Sequence, residues 1–230
     1  MPPTSAARRV EPDAAPELPA PRARAAGDSP KSRRTRAHIV DTAVRLLVER
    51  GYAAAPNPVI AEAAGLTRGA MLYHFPDRAS LVGEVVDHLQ RERTRLFQAA
   101  EADAPHGADR TDHAIDSYWG LLTHPAFVAF GELEAAARTD PELAALIAPA
   151  RDAFDRAQLG DGMFALVQGG ASTRLQASRD LARFMLEGLA RARLADDGDG
   201  RTERLLAVVK RAARMLNRKG EAADLWPYAH

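Results

Sequence analysis

Beyond residue 30, apolar positions recur at helical spacing. Ile39, Ala43, Leu46 and Leu47 share one face before Gly51, a residue suited to a helix stop, so the pattern predicts a first helix over roughly 32–50. Two short segments follow, about 59–64 and 68–74, joined at Gly65 and Thr67 and too short to hold without packing. Ser80 then opens a longer helix, with Leu81, Val85, Leu89 and Leu96 on one face, to about residue 102. Pro105 and Gly107 interrupt the pattern before further helical stretches at about 111–123, 125–138, 141–168, 173–194 and 202–217. Pro149 and Gly160-Asp161-Gly162 are expected to kink or split the longest of these. No alternating strand pattern occurs, so the chain reads as all-α with about nine helices.

Composition adds boundaries. Residues 1–30 are rich in Pro and Ala, carry four basic and four acidic residues and show no sustained period, which reads as a disordered tail; 219–230 reads as a short C-terminal tail. The net charge is zero, yet residues 31–100 hold 11 Lys/Arg against 7 Asp/Glu, and residues 101–230 hold 16 against 20. That asymmetry fits a nucleic-acid-binding segment near the start, although basic solvated faces are common. There is no cysteine, which removes disulfides, thiolate nucleophiles and Cys-ligated zinc. With no apolar leader and no apolar run approaching a membrane span, the expected location is the cytoplasm.

The stretch from Gly51 to Phe75 carries the sharpest signal. Ala61, Ala64 and Leu66 are small or apolar where two short helices would cross, and Gly65 allows the positive φ of a sharp turn. Thr67 can cap the second helix, with Leu66 and Met71 spaced as a hydrophobic staple. This is the spacing of a helix-turn-helix, whose second helix would enter a major groove, although α–α corners also occur in proteins that bind no DNA. Ahead of it stands Ala55-Pro56-Asn57-Pro58. Pro58 disfavours helical geometry at Asn57, so Asn57 is expected to be the N-cap, with Pro58 at the first helical position.

Between Arg36 and Leu81, the residues Ile39, Ala43, Gly51-Tyr52, Ile60-Ala61, Ala64-Gly65, Gly69, His74-Phe75 and Leu81 stand at spacings that resemble the N-terminal domain of TetR-family transcriptional regulators. The resemblance implies a homodimeric all-α repressor, with a DNA-binding domain at 31–78 and an effector-binding and dimerisation domain at 79–218. It makes Arg68 to His74 the recognition helix, including Met71. Arg68 would pair with a guanine edge, Gly69 and Ala70 would let the backbone approach, Thr67 would sit at the cap, and Tyr73 and His74 would reach phosphates. Arg78 would bind backbone phosphate where the family usually has lysine. Lys31, Arg33, Arg34 and Arg36, ahead of the first helix, could follow the backbone or enter a minor groove. Two departures stand out. Leu72 replaces the family's tyrosine, with Tyr73 one position later; either Tyr73 takes over the phosphate contact or that contact is lost, with Tyr73 packing against Phe75 and the junction of the first and fourth helices. Asn57 replaces the usual hydroxyl cap and would itself reach a phosphate.

The rest of the chain is less specific. Phe97, Tyr118, Trp119, Phe127, Phe130, Phe154, Phe164 and Phe184 fall at intervals that suit helix cores, and together could also line an apolar effector cavity. His113, Glu134, Arg138 and Arg174 are the polar candidates for effector recognition, each also readable as a surface or ion-paired residue. Leu181, Phe184, Met185 and Leu189, with Leu205, Val209, Ala212 and Leu216, form apolar stripes on the last two helices. Such stripes fit internal core or a subunit interface, and the resemblance favours a four-helix dimer interface that would read a pseudo-palindromic operator. Metalloprotease, P-loop, serine-hydrolase and dinucleotide motifs are absent from the sequence, and its seven histidines lack metal-like spacing. The reading is therefore a regulator, without enzyme activity, metal or other cofactor, that responds to a small molecule. The alternative is a helical small-molecule-binding protein with weakened DNA binding.

Overall fold

The computed structural model describes residues 29–104, 110–160, 173–192 and 200–217. Among them are nine α-helices and no strand: α1 Pro30–Arg50, α2 Asn57–Ala63, α3 Arg68–His74, α4 Arg78–Ala102, α5 Arg110–Leu122, α6 Pro125–Ala137, α7 Pro141–Gly160, α8 Thr173–Ala192 and α9 Arg201–Asn217. Residues 1–28 of the N-terminal tail read from composition, the C-terminal tail from residue 219, and the last part of the expected 141–168 helix lie outside the described residues; Ser29 and Pro30, counted with the tail, belong to the start of α1.

Local chemistry sets most boundaries. The Ser29 hydroxyl accepts the Ser32 N–H at 3.2 Å and Pro30 opens the helix, so α1 begins earlier than its apolar pattern does. Lys31, Arg33, Arg34 and Arg36 consequently lie within its first two turns rather than ahead of it. At the other end, Gly51 has φ 76° and donates to Leu47 O at 3.0 Å. A Cβ on Gly51 would also stand 3.0 Å from Glu132 Oε2, because α6 passes close to this turn. Ser80 does not open α4. Asp77 caps it, accepting the Ser80 N–H at 2.7 Å while Asp77 N–H donates to Ser80 Oγ at 3.3 Å, a reciprocal box that starts the helix at Arg78. Nor does Pro149 split α7; it lies exposed, where solvent can serve the Ala145 carbonyl that its missing N–H leaves.

Two apolar clusters fill the interior. The first joins Ile39, Ala43 and Leu46 of α1, Ile60 of α2, Met71 of α3 and Phe75 to Leu81, Val85 and Leu89 of α4, and continues into Phe130 and Leu133 of α6 and Ile147 of α7. The second gathers Phe97, Ile115, Tyr118, Phe127, Phe154, Leu186, Val209 and Ala213. Helix α4 contributes to both, so it connects the short N-terminal helices to the larger helical body.

Candidate functional site

Helices α2 and α3 are held by buried residues on their inner side. Gly65, at φ 68°, turns the chain between them, and its N–H and that of Leu66 donate to Glu62 O and Ala61 O at 2.9 Å. The Thr67 hydroxyl accepts the Ala70 N–H at 3.2 Å and caps α3, as its spacing predicts. Met71 is only 2% exposed and Phe75 is fully buried, so these two residues fix the inner face of a helix of barely two turns. Met71 is therefore a core anchor, a correction to its place among DNA-facing residues: its position one turn past the cap points inward.

The outer face is open. Arg68 is exposed and has no ion-pair partner among the described residues. Tyr73 is 79% exposed and stands nearly perpendicular to the His74 ring, at 5.1 Å between centroids, so it is not packed into the interior with Phe75. Gly69 is exposed, and a Cβ there would meet nothing within 4 Å, so nothing inside the protein requires glycine at that position. Ala70 is half-buried beside it, and Leu72 is 41% exposed.

Several residues expected to face phosphates turn inward instead. The Arg36 guanidinium lies 4.3 Å above the Phe75 ring, donates to His74 O and pairs with Glu84 at 3.0 Å, tying α1 to α3 and α4. Arg78 lies 4.6 Å over the Tyr52 ring, and its Nη1 donates to Ala55 O at 2.6 Å and Asn57 Oδ1 at 3.3 Å. Asn57 is not the cap of α2. Pro56 takes that position with ψ 161°, its carbonyl accepts the Ile60 N–H at 3.1 Å, and the Asn57 side chain serves Arg78. The restriction from Pro58 is a preference, and Pro56, already fixed near φ −69°, supplies the extended residue one place earlier. Arg33 and Arg34 remain exposed on α1.

A polar network lies within the second cluster. Arg183 donates from Nε to Glu187 and from Nη1 to Asp155, both at 2.8 Å, and the Tyr118 hydroxyl donates to Glu187 at 2.8 Å. Burial, reinforced by the Glu187 carboxylate, pushes the Tyr118 phenol well above its usual range. For Arg183 burial opposes the charge, but the bond to Glu187 and the neighbouring acids outweigh it and raise its pKa. Burial also raises the Glu134 carboxyl, with Arg93 pulling the other way. Arg93, on α4, is 6% exposed and stacked 3.8 Å from the Phe130 centroid and 3.9 Å from that of Phe154. Burial lowers it to about 10, so it remains a cation near neutral pH.

Of the expected effector residues, Phe97, Tyr118, Phe127 and Phe130 converge on this region, with Trp119 partly buried beside it and Glu134 near Arg93. His113 is used structurally: its Nε2 lies 3.2 Å from Ala100 O and 3.3 Å from Ser117 Oγ, joining α5 to α4. Arg138 is exposed at the C-cap of α6, outside the network. Phe164 and the Arg174 side chain lie outside the described residues. Arg93 was not among the candidates, although its signal is legible: Leu89, Arg93 and Phe97 occupy one stripe, with an arginine in an apolar position.

The terminal helices present an outward apolar face. Leu181, Phe184 and Met185 of α8 are 47%, 64% and 41% exposed, so Phe184 is no core residue. Leu189 and Ala212 are half-buried, and Leu205 is exposed. Val209 and Leu216 point into the chain's own core, which corrects their assignment to an interface; Val208 and Met215, each 57% exposed, continue the outer stripe instead. The α9 helix is fastened to α5 by Lys210 to Asp116, at 2.7 Å, and by Arg214 to Asp112. Among the described residues no helix is long and apolar enough to cross a membrane.

Comparison with known proteins converges on the same segment. Residues 39–85 match the sequence pattern described as bacterial regulatory proteins, tetR family. The chain is 38% identical over 73 residues to the HTH-type transcriptional regulator TtgR of Pseudomonas putida, covering 32% of this chain and 35% of that protein. It is 31% identical over 121 residues to the HTH-type transcriptional repressor Rv3405c of Mycobacterium tuberculosis, covering 52% and 60%. Both matches therefore span less than two thirds of the relative's length. The fold is shared more widely: a protein from Saccharomonospora viridis assigned as a transcriptional regulator, solved in complex with choline, superposes with a TM-score of 0.58 at 18% identity, over 78% of this chain and 95% of that one.

Proposed function

The N-terminal domain belongs to the tetR family of bacterial regulatory proteins, and from that premise we propose that the chain is a ligand-responsive, DNA-binding transcriptional regulator of the cytoplasm, a repressor that releases its operator when a small molecule binds the helices beyond Arg78. The observation that carries this reading is α3 itself. A two-turn helix capped by Thr67 and anchored by Met71 and Phe75 presents Arg68, Gly69 and Tyr73 outward, with arginine suited to a guanine edge and glycine leaving the backbone approachable. The bases of α1 support it. Lys31, Arg33 and Arg34 stand in the first turns of a helix with no acid in its first turn, where cations oppose the helix dipole by some tenths of a kcal/mol each. A phosphate backbone removes that penalty.

Helix α4 supplies the route between the two activities. At its start Arg78 braces Ala55 and Asn57 at the entrance to α2, and fifteen residues on, Arg93 lies among the phenylalanines of the interior. A molecule that prefers one placement of α4 therefore biases the seating of α2 and α3, which is a population shift driven by differential affinity. The S. viridis protein with choline bound supports the view that this fold accommodates a small molecule.

The outward stripe of Leu181, Phe184, Met185, Leu205, Val208 and Met215 supports a homodimer through α8 and α9, which would read a pseudo-palindromic site. Sedimentation at micromolar concentration should give a dimer, and Phe184→Asp should give a monomer; a monomeric wild type contradicts the assembly. The functional reading is tested with duplex DNA from upstream of the chain's own gene at several salt concentrations. Binding should be sequence-specific and should weaken steeply as salt rises. Equal affinity for a scrambled duplex contradicts it.

A further inference from the structure

The interior network contains one group that the fold leaves incomplete. Arg93 is 6% exposed, and its Nε and Nη1 are buried with no hydrogen-bond partner. A buried guanidinium normally directs its fork of N–H groups at acceptors, because an unmet charged donor is among the costliest features an interior can hold. The groups around Arg93 do not fill that role. Phe130, Phe154 and Phe127 lie 3.8, 3.9 and 5.2 Å from the guanidinium carbon, and their π faces attract the charge but offer no lone pair to the N–H edge. Asp155 and Glu187 are both engaged by Arg183, and Glu187 also takes the Tyr118 hydroxyl. Glu134 is close enough to be felt electrostatically, yet no ion pair joins it to Arg93.

We propose that Arg93 is the anion-recognising residue of the effector site, and that the effector carries a carboxylate or similar oxyanion on an apolar body. The oxyanion accepts the unmet Nε and Nη1 donors in the paired geometry that guanidinium favours, and the apolar body lies against the phenylalanines. A cationic ligand would have to take the aromatic faces that Arg93 already occupies and would meet a like charge. The assignment rests on reading the helices beyond Arg78 as the effector-binding part, and it makes α4 the helix on which the effector acts directly.

The test uses the full chain and two probe series that share a body and differ in charge: octanoate, octanamide and octylamine, and phenylbutyrate, phenylbutyramide and phenylbutylamine. Calorimetric titration and thermal shift should show at least one acid binding wild type about tenfold or more tighter than its amide. In Arg93→Met that acid should lose about 10- to 100-fold in affinity, the usual consequence of removing a charged hydrogen-bond partner, while the amide changes little. Arg93→Lys keeps the charge without the fork and should fall between them. Acids that bind wild type no better than their amides, a preference for the amines, or undiminished acid binding by Arg93→Met each overturn the proposal. The acid-to-amide ratio needs no variant, so a misfolded Arg93→Met does not blunt the test. Specific binding of upstream DNA by the same preparation keeps the outcomes separate: acids failing while DNA recognition stands refutes the anion assignment alone, and loss of DNA specificity refutes the regulator reading alone.

Discussion

Helix α4 carries two arginines stacked on aromatic rings, one at its first residue and one fifteen residues on, and the two are finished differently. Arg78 covers Tyr52 and places Nη1 on the Ala55 carbonyl and the Asn57 side chain, so one arm of its fork has two acceptors supplied by the chain. Arg93 covers Phe130 and Phe154 and leaves Nε and Nη1 with none. The same residue type on the same helix thus does two jobs. Where the fold supplies the acceptors, arginine is a brace; where it withholds them, arginine is a binding group held ready.

The largest expected effect follows from breaking the brace. Arg78→Met leaves the fully buried Ala55 carbonyl without a donor and should cost about 2 kcal/mol in urea unfolding, with operator affinity falling in parallel because α2 loses its anchor. Asn57→Ala removes the longer of the two acceptors and should cost about 1 kcal/mol. Because the two side chains touch, the double variant should cost less than the separate losses added together. Arg93→Met is the counterpart further along the helix, and its unfolding free energy should stay within about 1 kcal/mol of wild type or rise, since an apolar side chain there removes an unmet charge. If both arginine variants lose the same stability, the contrast between the two arginines fails.

The smallest effect concerns Glu134, whose carboxyl is raised by burial while Arg93 holds it down. A carboxyl raised in the folded state adds stability at pH values below its ordinary 4.5, and that contribution is lost as pH climbs through the folded value. Glu134→Gln should therefore gain on wild type as pH rises from about 4 to 7 in a series of unfolding curves. Combining Glu134→Gln with Arg93→Met should give a larger gain over Arg93→Met alone, because the cation that favours the charged carboxylate is gone. A gap that does not change with pH contradicts this assignment.

The sequence was most informative where local rules and packing agree. Gly65, Thr67 and the apolar spacing from Ile39 to Leu47 each do what their chemistry dictates, the pattern placed α2 and α3 to within two residues, and the family resemblance gave α3 its role. It was least informative where a side chain has two feasible partners. Arg36 reads as a backbone or groove contact from its charge and place, and the resemblance makes Arg78 a phosphate ligand, but a nearby carbonyl and an aromatic ring, brought together only by the fold, hold both inward. The cap of α2 lies one residue before the expected Asn57 because the prolines on either side of Asn57 impose competing preferences, and the geometry of Pro56 prevails. On α9, an apolar stripe two residues wide did not reveal which edge faces the core; Val209 does, and Val208 does not. Arg93 escaped notice because nothing local marks an arginine as buried except the phase of its neighbours.

The central claim is that the exposed face of α3 reads DNA, and Arg68 tests it most directly. Wild type and Arg68→Ala are titrated with the upstream duplex and a scrambled duplex of equal length across a range of salt. Wild type should prefer the upstream duplex, and Arg68→Ala should lose about 1–3 kcal/mol of that preference while its weaker, sequence-independent binding remains salt-sensitive. A wild type that cannot tell the duplexes apart, or an Arg68→Ala protein that distinguishes them as well as wild type does, contradicts the claim.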